Sequence, residues 1–180
     1  HLTPPDLAAL RIFHAHMRGD IGGRRVCDLG CGTGILAIGA ALLGATEVVG
    51  VELDSRALQI AFENGKELGV FPRFIQARLP HPDLISLVGP CDTVVMNPPF
   101  GAQDPHADRP FIDASLSIAP VIYGIFNAGS RDFVKAYAGE TAEVEEVVEG
   151  TLLMRRTFSF HAKDLRETPV EIIVLRRRMV

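Results

Sequence analysis

Two short stretches of this chain combine residue types whose spacing could do chemistry. The first, Val26-Cys27-Asp28-Leu29-Gly30-Cys31-Gly32-Thr33-Gly34-Ile35, takes an apolar run into an acid and then sets glycines at alternate positions. Glycine there lets the backbone turn sharply and lets a ligand approach where a Cβ would stand. Glu52 follows some twenty residues beyond the glycine turn, the distance at which a carboxylate can accept both hydroxyls of a bound ribose. A strand-end carboxylate could equally cap the helix that follows, a task Asp54 could fill as well. The second stretch is Asn97-Pro98-Pro99-Phe100. Two prolines directly after a buried run cannot extend a strand, because they offer no N–H to a ladder. They fix a rigid bend that holds the Asn97 amide and the Pro98 carbonyl outside the sheet edge. An exocyclic amine on a base is a poor nucleophile, since its lone pair is delocalised into the ring. Two acceptors on its two N–H groups, Asn97 Oδ1 and the Pro98 carbonyl, would tilt the nitrogen towards a tetrahedral shape. Proximity and oriented dipoles then localise the lone pair without a strong general base. Phe100 is placed to stack on an extruded base.

The spacing of the glycines excludes two common nucleotide folds. A dinucleotide fingerprint needs a third small residue where this chain has Ile35, and no G-x-x-x-x-G-K-[ST] occurs anywhere. Asp-x-Gly-x-Gly-x-Gly instead resembles the first motif of S-adenosylmethionine-dependent methyltransferases. The plain alternatives are a tight turn without a ligand and a proline-stiffened bend. Finding both motifs on one chain favours chemistry over either.

The elements that must position these residues follow from periodicity. Thr3-Pro4-Pro5-Asp6 starts a helix capped by Thr3 or Asp6, with Leu7, Leu10, Ile12, Phe13 and Met17 as its apolar side. Gly19 with Gly22-Gly23 ends it. After the glycine turn, Ile35, Leu36, Ile38, Leu42 and Leu43 recur at helical spacing. Residues 47–54 read as a second strand ending in acids. Ser55 caps the next helix, to about Leu68, with Leu58, Ala61, Phe62 and Leu68 inward. Strands are expected at 74–77, 93–96 and 121–126, with helices at about 111–119 and from a Ser130 cap to about 138. Residues 144–158 and 170–177 are two β-rich runs joined by a polar loop, an antiparallel hairpin. Alternating βα units followed by a hairpin predict an α/β fold with a mostly parallel, seven-stranded sheet, helices on both faces and an antiparallel edge.

Composition bounds the rest. A chain of 180 residues is expected to form one domain that buries roughly two-thirds of its unfolded surface. It opens on His1 rather than Met, so some N-terminal residues are expected to precede it. Cys27, Cys31 and Cys91 form no C-x-x-C pair and read as reduced, buried thiols of a cytoplasmic protein. No metal site is expected. No apolar run reaches membrane-spanning length and no secretory leader is visible, so no membrane partner is expected. Net charge is -4, which argues against a uniformly basic nucleic-acid binder. The distribution is uneven, however, with seven Lys/Arg against three acids over 151–180. A basic face on an acidic body suits a nucleic-acid substrate and suits solvated strand ends equally.

Residues 94–101, Val-Val-Met-Asn-Pro-Pro-Phe-Gly, together with Phe158-Ser159-Phe160-His161 and the closing strand, resemble one family in particular. It is the methyltransferase-like protein 5 family with its archaeal relatives, Rossmann-like class I enzymes that methylate adenine N(6) in small-subunit ribosomal RNA. The resemblance runs from Thr3 to about Arg177. It implies S-adenosyl-L-methionine as cofactor, held by Thr3, Asp28, Gly30, Cys31, Gly32, Thr33, Gly34, Ile35, Glu52 and Leu53. Asn97, Pro98, Pro99 and Phe100 would hold the adenine. His161, Lys163 and Arg166 would lie beside the RNA, with Lys163 and Arg166 on phosphate and Arg176 to Arg178 mostly solvating a strand end. Eukaryotic members work with a small zinc-containing activator subunit, which makes such a subunit a candidate partner. One departure stands out: the family ends its third strand in Asp-Val, whose acid accepts the cofactor's adenine amine, and this chain has Arg78-Leu79. Arg78 and Leu79 are still placed at the cofactor, but a guanidinium has no acceptor, so Arg78 could only stack on the ring or turn outward. Asp83 would then be a substitute acid, or the adenine would be held by main chain and apolar contacts. The other readings are an enzyme for another planar amine or amide (a guanine amine or a protein glutamine) and a catalytically silent scaffold.

Overall fold

A computed structural model of the chain describes residues 18–98, 106–155 and 165–179. The expected N-terminal helix, Thr3, Pro99, Phe100, the Phe158–His161 segment and Lys163 lie outside the described residues. The elements run α1 (Arg18–Ile21), β1 (Arg25–Leu29), α2 (Ile35–Leu42), β2 (Glu47–Glu52), α3 (Ser55–Glu67), β3 (Arg73–Gln76), α4 (Leu84–Val88), β4 (Thr93–Met96), α5 (Arg109–Ile118), β5 (Val121–Asn127), α6 (Arg131–Ala138), β6 (Ala142–Arg155) and β7 (Leu165–Arg177). They build one seven-stranded sheet in the order β3-β2-β1-β4-β5-β7-β6. Strands β1 to β5 are parallel, and β7 runs antiparallel to both β5 and β6.

Strands β1, β2, β4 and β5 are short and apolar on both faces because helices cover both. Successive residues alternate between two cores. Cys27, Leu29, Val49, Val51, Val94 and Met96 face α4, α5 and α6, whose Leu84, Val88, Ile112, Ile118 and Val134 complete that layer. Val26, Val48, Val95, Tyr123 and Ile125 face the other way, onto Ile21 of α1 and Leu36, Ala37 and Ala40 of α2. Short α4 had no expectation; of the glycines expected to end the first helix, Gly19 lies inside α1, and Gly22-Gly23 directly follow its last residue, Ile21.

Two inward assignments fail. Phe62 and Leu68 are each close to half exposed. Helix α3 serves the sheet margin formed by β2 and β3, where it buries Ala61, Asn64 and Gly65, so the next row of its apolar side has no layer to meet. The caps differ as well. Asp54, not Ser55, caps α3, its side chain accepting from Arg56 N at 2.9 Å. Ser130 does occupy the cap position of α6, but its hydroxyl donates back to the Asn127 carbonyl. The free N–H groups of Gly129 and Ser130 are taken instead by the buried carboxylate of Glu171, on β7. An anion there also complements the positive end of the helix.

Candidate active site

In this strand order β1 lies between β2 and β4, so the chain leaves it in one direction for β2 and β3 and returns on the other side at β4. Such a switch point opens a crevice beyond the carboxyl ends of the two central strands. Leu29, the last residue of β1, pairs with Met96, the last of β4. Gly30 and Asn97 therefore leave adjacent strands at the same level, and the two motifs, distant in sequence, share one crevice.

The glycine turn is held from behind. Gly30 N and Cys31 N donate to the Val51 carbonyl at 2.8 and 2.9 Å, Gly34 N donates to Cys31 O at 2.8 Å, and Asn64 Nδ2 donates to Thr33 O at 3.0 Å. Gly30, Gly32 and Gly34 have φ of 71°, 53° and 88°, a region that costs other L-residues about 1–2 kcal/mol each. Their surroundings differ. A Cβ on Gly30 would stand 2.7 Å from Cε1 of Phe111, and one on Gly34 would stand 2.9 Å from Cβ of Ala61. A Cβ on Gly32 would meet nothing within 4 Å. Two of the glycines thus let the protein close on itself, and Gly32 alone borders open space.

Glu52 bounds that space. Its Oε1 accepts from Gly32 N at 3.0 Å and its Oε2 from Asp54 N at 2.8 Å. Each carboxylate oxygen has two acceptor positions, so each keeps one for another donor. With Asp54 capping α3, Glu52 is left to the turn. Leu53, just beyond, is 46% exposed, and Thr33 and Ile35 are half-buried along the turn. Space at Gly32, two spare carboxylate positions and an adjacent apolar side chain fit a ribose-bearing cofactor with a planar base.

Asp28 and Cys31 stand behind this surface. Asp28 is buried, and its Oδ2 accepts from Ala37 N at 3.0 Å, tying α2 to β1. Burial pushes its carboxyl up to about 8, so at neutral pH it holds a proton. The Cys31 side chain is buried and burial pushes its thiol up. Arg78 is exposed and Leu79 half-buried, while Asp83 is exposed at the head of α4, its N–H on His81 Nδ1 at 3.2 Å.

Across the crevice, Asn97 is half-buried and Pro98 buried. Asn97 Oδ1 is buried and has no hydrogen-bond partner among the described residues. The Gly30 neighbour Phe111 and the turn's brace Asn64 were not anticipated. Only Asn64 left a trace in sequence, as a polar residue on the buried Ala61–Gly65 row of an amphipathic helix.

The basic C-terminal face divides. Arg166 is exposed on β7 opposite Met154. Arg176 to Arg178 are exposed at the strand end, as expected, and each also finds a partner. Arg176 pairs with Glu145 at 3.0 Å, Arg177 donates to the Leu116 carbonyl at 2.9 Å, and Arg178 donates to the Gly139 carbonyl at 3.0 Å. Carbonyls and a carboxylate on the neighbouring α5, α6 and β6 lie within reach of the strand end, which the sequence could not display. Among the described residues no cluster of His, Cys, Asp and Glu could hold a metal, and no helix is long and apolar enough to cross a membrane.

Residues 9–97 match the family described as ribosomal protein L11 methyltransferase (PrmA). An uncharacterized protein of Methanocaldococcus jannaschii is 37% identical over 174 residues, 92% of this chain and 78% of its own. The rRNA N(6)-adenosine-methyltransferase METTL5 of Danio rerio is 30% identical over 184 residues, 95% of this chain and 84% of its own. The crystal structure of PH1948 from Pyrococcus horikoshii superposes with a TM-score of 0.82 at 35% identity, covering 98% of this chain and 86% of that one. Relatives of this identity extend past the glycine turn and Asn97 to almost the whole chain; it belongs to the METTL5 family with its archaeal members, and it is an S-adenosylmethionine-dependent N-methyltransferase.

Proposed function

We propose that this enzyme methylates the exocyclic N6 amine of an adenine in small-subunit ribosomal RNA. The observation that carries the reading is Asn97 Oδ1, a buried acceptor with no partner among the described residues, beside the glycine turn. Leaving such an atom unpaired costs about 1–3 kcal/mol. An incoming amine N–H recovers that cost, so the site is organised for its substrate before it arrives.

Glu52 takes the ribose hydroxyls of the cofactor, Gly32 gives its backbone close approach, and Leu53 and Leu79 flank its base. When bound, S-adenosylmethionine supplies a sulfonium methyl as the electrophile. Asn97 Oδ1 and the Pro98 carbonyl accept the two N–H groups of the adenine amine and point its lone pair at the crevice, while Phe100 stacks on the extruded ring. Asn97 holds no proton at any stage. The extra proton of the alkylated amine is acidic enough to leave without a strong base.

An adenine substrate is supported by the length of the matches. Relatives named rRNA N(6)-adenosine-methyltransferase cover 94–95% of this chain and 82–84% of their own length, whereas a relative named ribosomal protein L11 methyltransferase covers 77% of this chain and 42% of its own. Exposed Arg166 supports RNA contact by the basic loop, for which Lys163 and His161 remain expectations. An activator subunit is supported by Phe62 and Phe71, half and two-thirds exposed with ring centroids 6.4 Å apart beside edge strand β3. The test is transfer of labelled methyl to small-subunit ribosomal RNA, followed by nucleoside analysis. Label in N6-methyladenosine, lost with Asn97→Ala, is expected. Label on guanine, or on protein only, would overturn the reading.

A further inference from the structure

Helices α5 and α6 both start at the carboxyl edge of the sheet, the edge where β4 gives way to Asn97, because each leads back to a strand parallel to the one before it. They hold an aromatic and cationic group that the site described above does not use. The Arg109 guanidinium lies 5.5 Å from the ring centroid of Phe133 and 5.1 Å from that of Tyr137. These two rings are stacked at 5.7 Å, and the Tyr137 hydroxyl donates to Asp113 Oδ2 at 2.7 Å, which fastens the lower end of the group. At the upper end the His106 ring lies 6.1 Å from Phe133.

His106 is the residue that suggests a ligand. It is exposed, and its φ of 73° is the left-handed value that glycine or asparagine adopts more cheaply. An exposed histidine kept in that conformation gains nothing from burial, while an exposed aromatic ring at the carboxyl edge of the sheet is what a base can stack on. Arg109 adds fixed positive charge, and its Nε is buried without a hydrogen-bond partner among the described residues.

We propose that the His106–Phe133 face, backed by Arg109 and Tyr137, is a stacking platform for the nucleotide next to the target adenine in single-stranded RNA. This deepens the RNA reading and rests on it. Once the target base is extruded towards Asn97, its neighbour loses a stacking partner, and a rigid aromatic shelf on the adjoining helices replaces it. Arg109 keeps the shelf planar by bridging α5 and α6 and draws in the phosphate chain.

The experiment measures binding of a single-stranded, adenine-containing ribosomal RNA fragment by fluorescence anisotropy. Cofactor affinity by calorimetry and the thermal midpoint are recorded on the same samples of the full chain. His106→Gly relieves the backbone conformation and removes the ring. Expected are an RNA affinity about tenfold weaker, the order of one lost base stack, unchanged cofactor affinity, and an unchanged or higher midpoint. His106→Tyr should restore most of the affinity. Wild-type RNA affinity in a folded His106→Gly protein would overturn the platform and leave the adenine reading standing. A wild-type protein that neither binds nor methylates RNA would overturn both. A lower midpoint in His106→Gly without change in RNA affinity would show the group to be an inter-helix strut only, and would also overturn the platform.

Discussion

The two sides of the crevice are built on opposite plans. On the β1–β2 side almost every polar group of the turn is already engaged: Gly30, Cys31 and Gly34 N–H on carbonyls, Gly32 N–H on Glu52, and Thr33 O on Asn64. What that side leaves open is space at Gly32 and spare lone pairs on Glu52. On the β4–β5 side the reverse holds, with the key acceptor, Asn97 Oδ1, buried and unpaired among the described residues. A cofactor used at every turnover needs a rigid socket of fixed shape. An amine that must be made nucleophilic needs dipoles held unsatisfied until it arrives. The contrast teaches where variants should affect binding and where they should affect rate.

The largest effect is expected from filling the socket. Gly32→Val should remove measurable S-adenosylmethionine binding in calorimetry, with a stability loss of about 1–2 kcal/mol from the left-handed backbone. Gly30→Ala should instead lower the thermal midpoint, because its methyl would press on the Phe111 ring. If both variants behave alike, the distinction between the socket and its support is wrong. On the other side, Asn97→Ala should keep cofactor affinity within a few-fold and cut turnover by roughly 100-fold or more, as for loss of a preorganised polar group. Near-normal turnover would reduce Asn97 to a turn residue.

Outside the crevice, RNA affinity should fall with salt at a log–log slope of roughly -0.7 per phosphate contact on single strands. Removing charge at Lys163 and Arg166 together should flatten that slope by about one unit or more. Changes at Arg176 to Arg178, whose side chains are engaged with Glu145 and with carbonyls of α5 and the segment after α6, should alter it much less and lower stability instead. Equal flattening by the two sets would place the RNA contact elsewhere.

The last effect concerns stability alone, in the support behind the socket. The Asp28 carboxyl titrates near 3.9 in an unfolded chain and at about 8 in the fold. Between those values the folded state keeps a proton that the unfolded chain has lost. The stability from that proton is fully present below about pH 4 and fades as pH rises through 8. Asp28→Asn cannot ionise, so from pH 5 to 8 the wild-type midpoint should fall relative to the variant. Parallel midpoints across that range would mean that Asp28 is charged in the fold.

What the sequence determined by itself is local. Glycines at alternate positions demand left-handed backbone, and all three have it. Two prolines after an apolar run demand a strand end, and β4 stops at Met96 as expected. The apolar runs of β1, β2, β4 and β5 were legible because each is covered on both faces, and the closing hairpin because two β-rich runs flank a polar loop. Tertiary structure decided what depends on who the neighbour is. Nothing in the motif tells that Gly30 answers to Phe111, Gly34 to Ala61 and Gly32 to open space. Nor could spacing tell that Glu171, forty residues on, would cap α6 in place of Ser130. Phe62 and Leu68 belong to the same helical apolar pattern as Ala61, yet only Ala61 is buried, because α3 sits at the margin of the sheet. Backbone demands are written in adjacent residues, whereas burial and pairing belong to segments that meet only when the chain is folded.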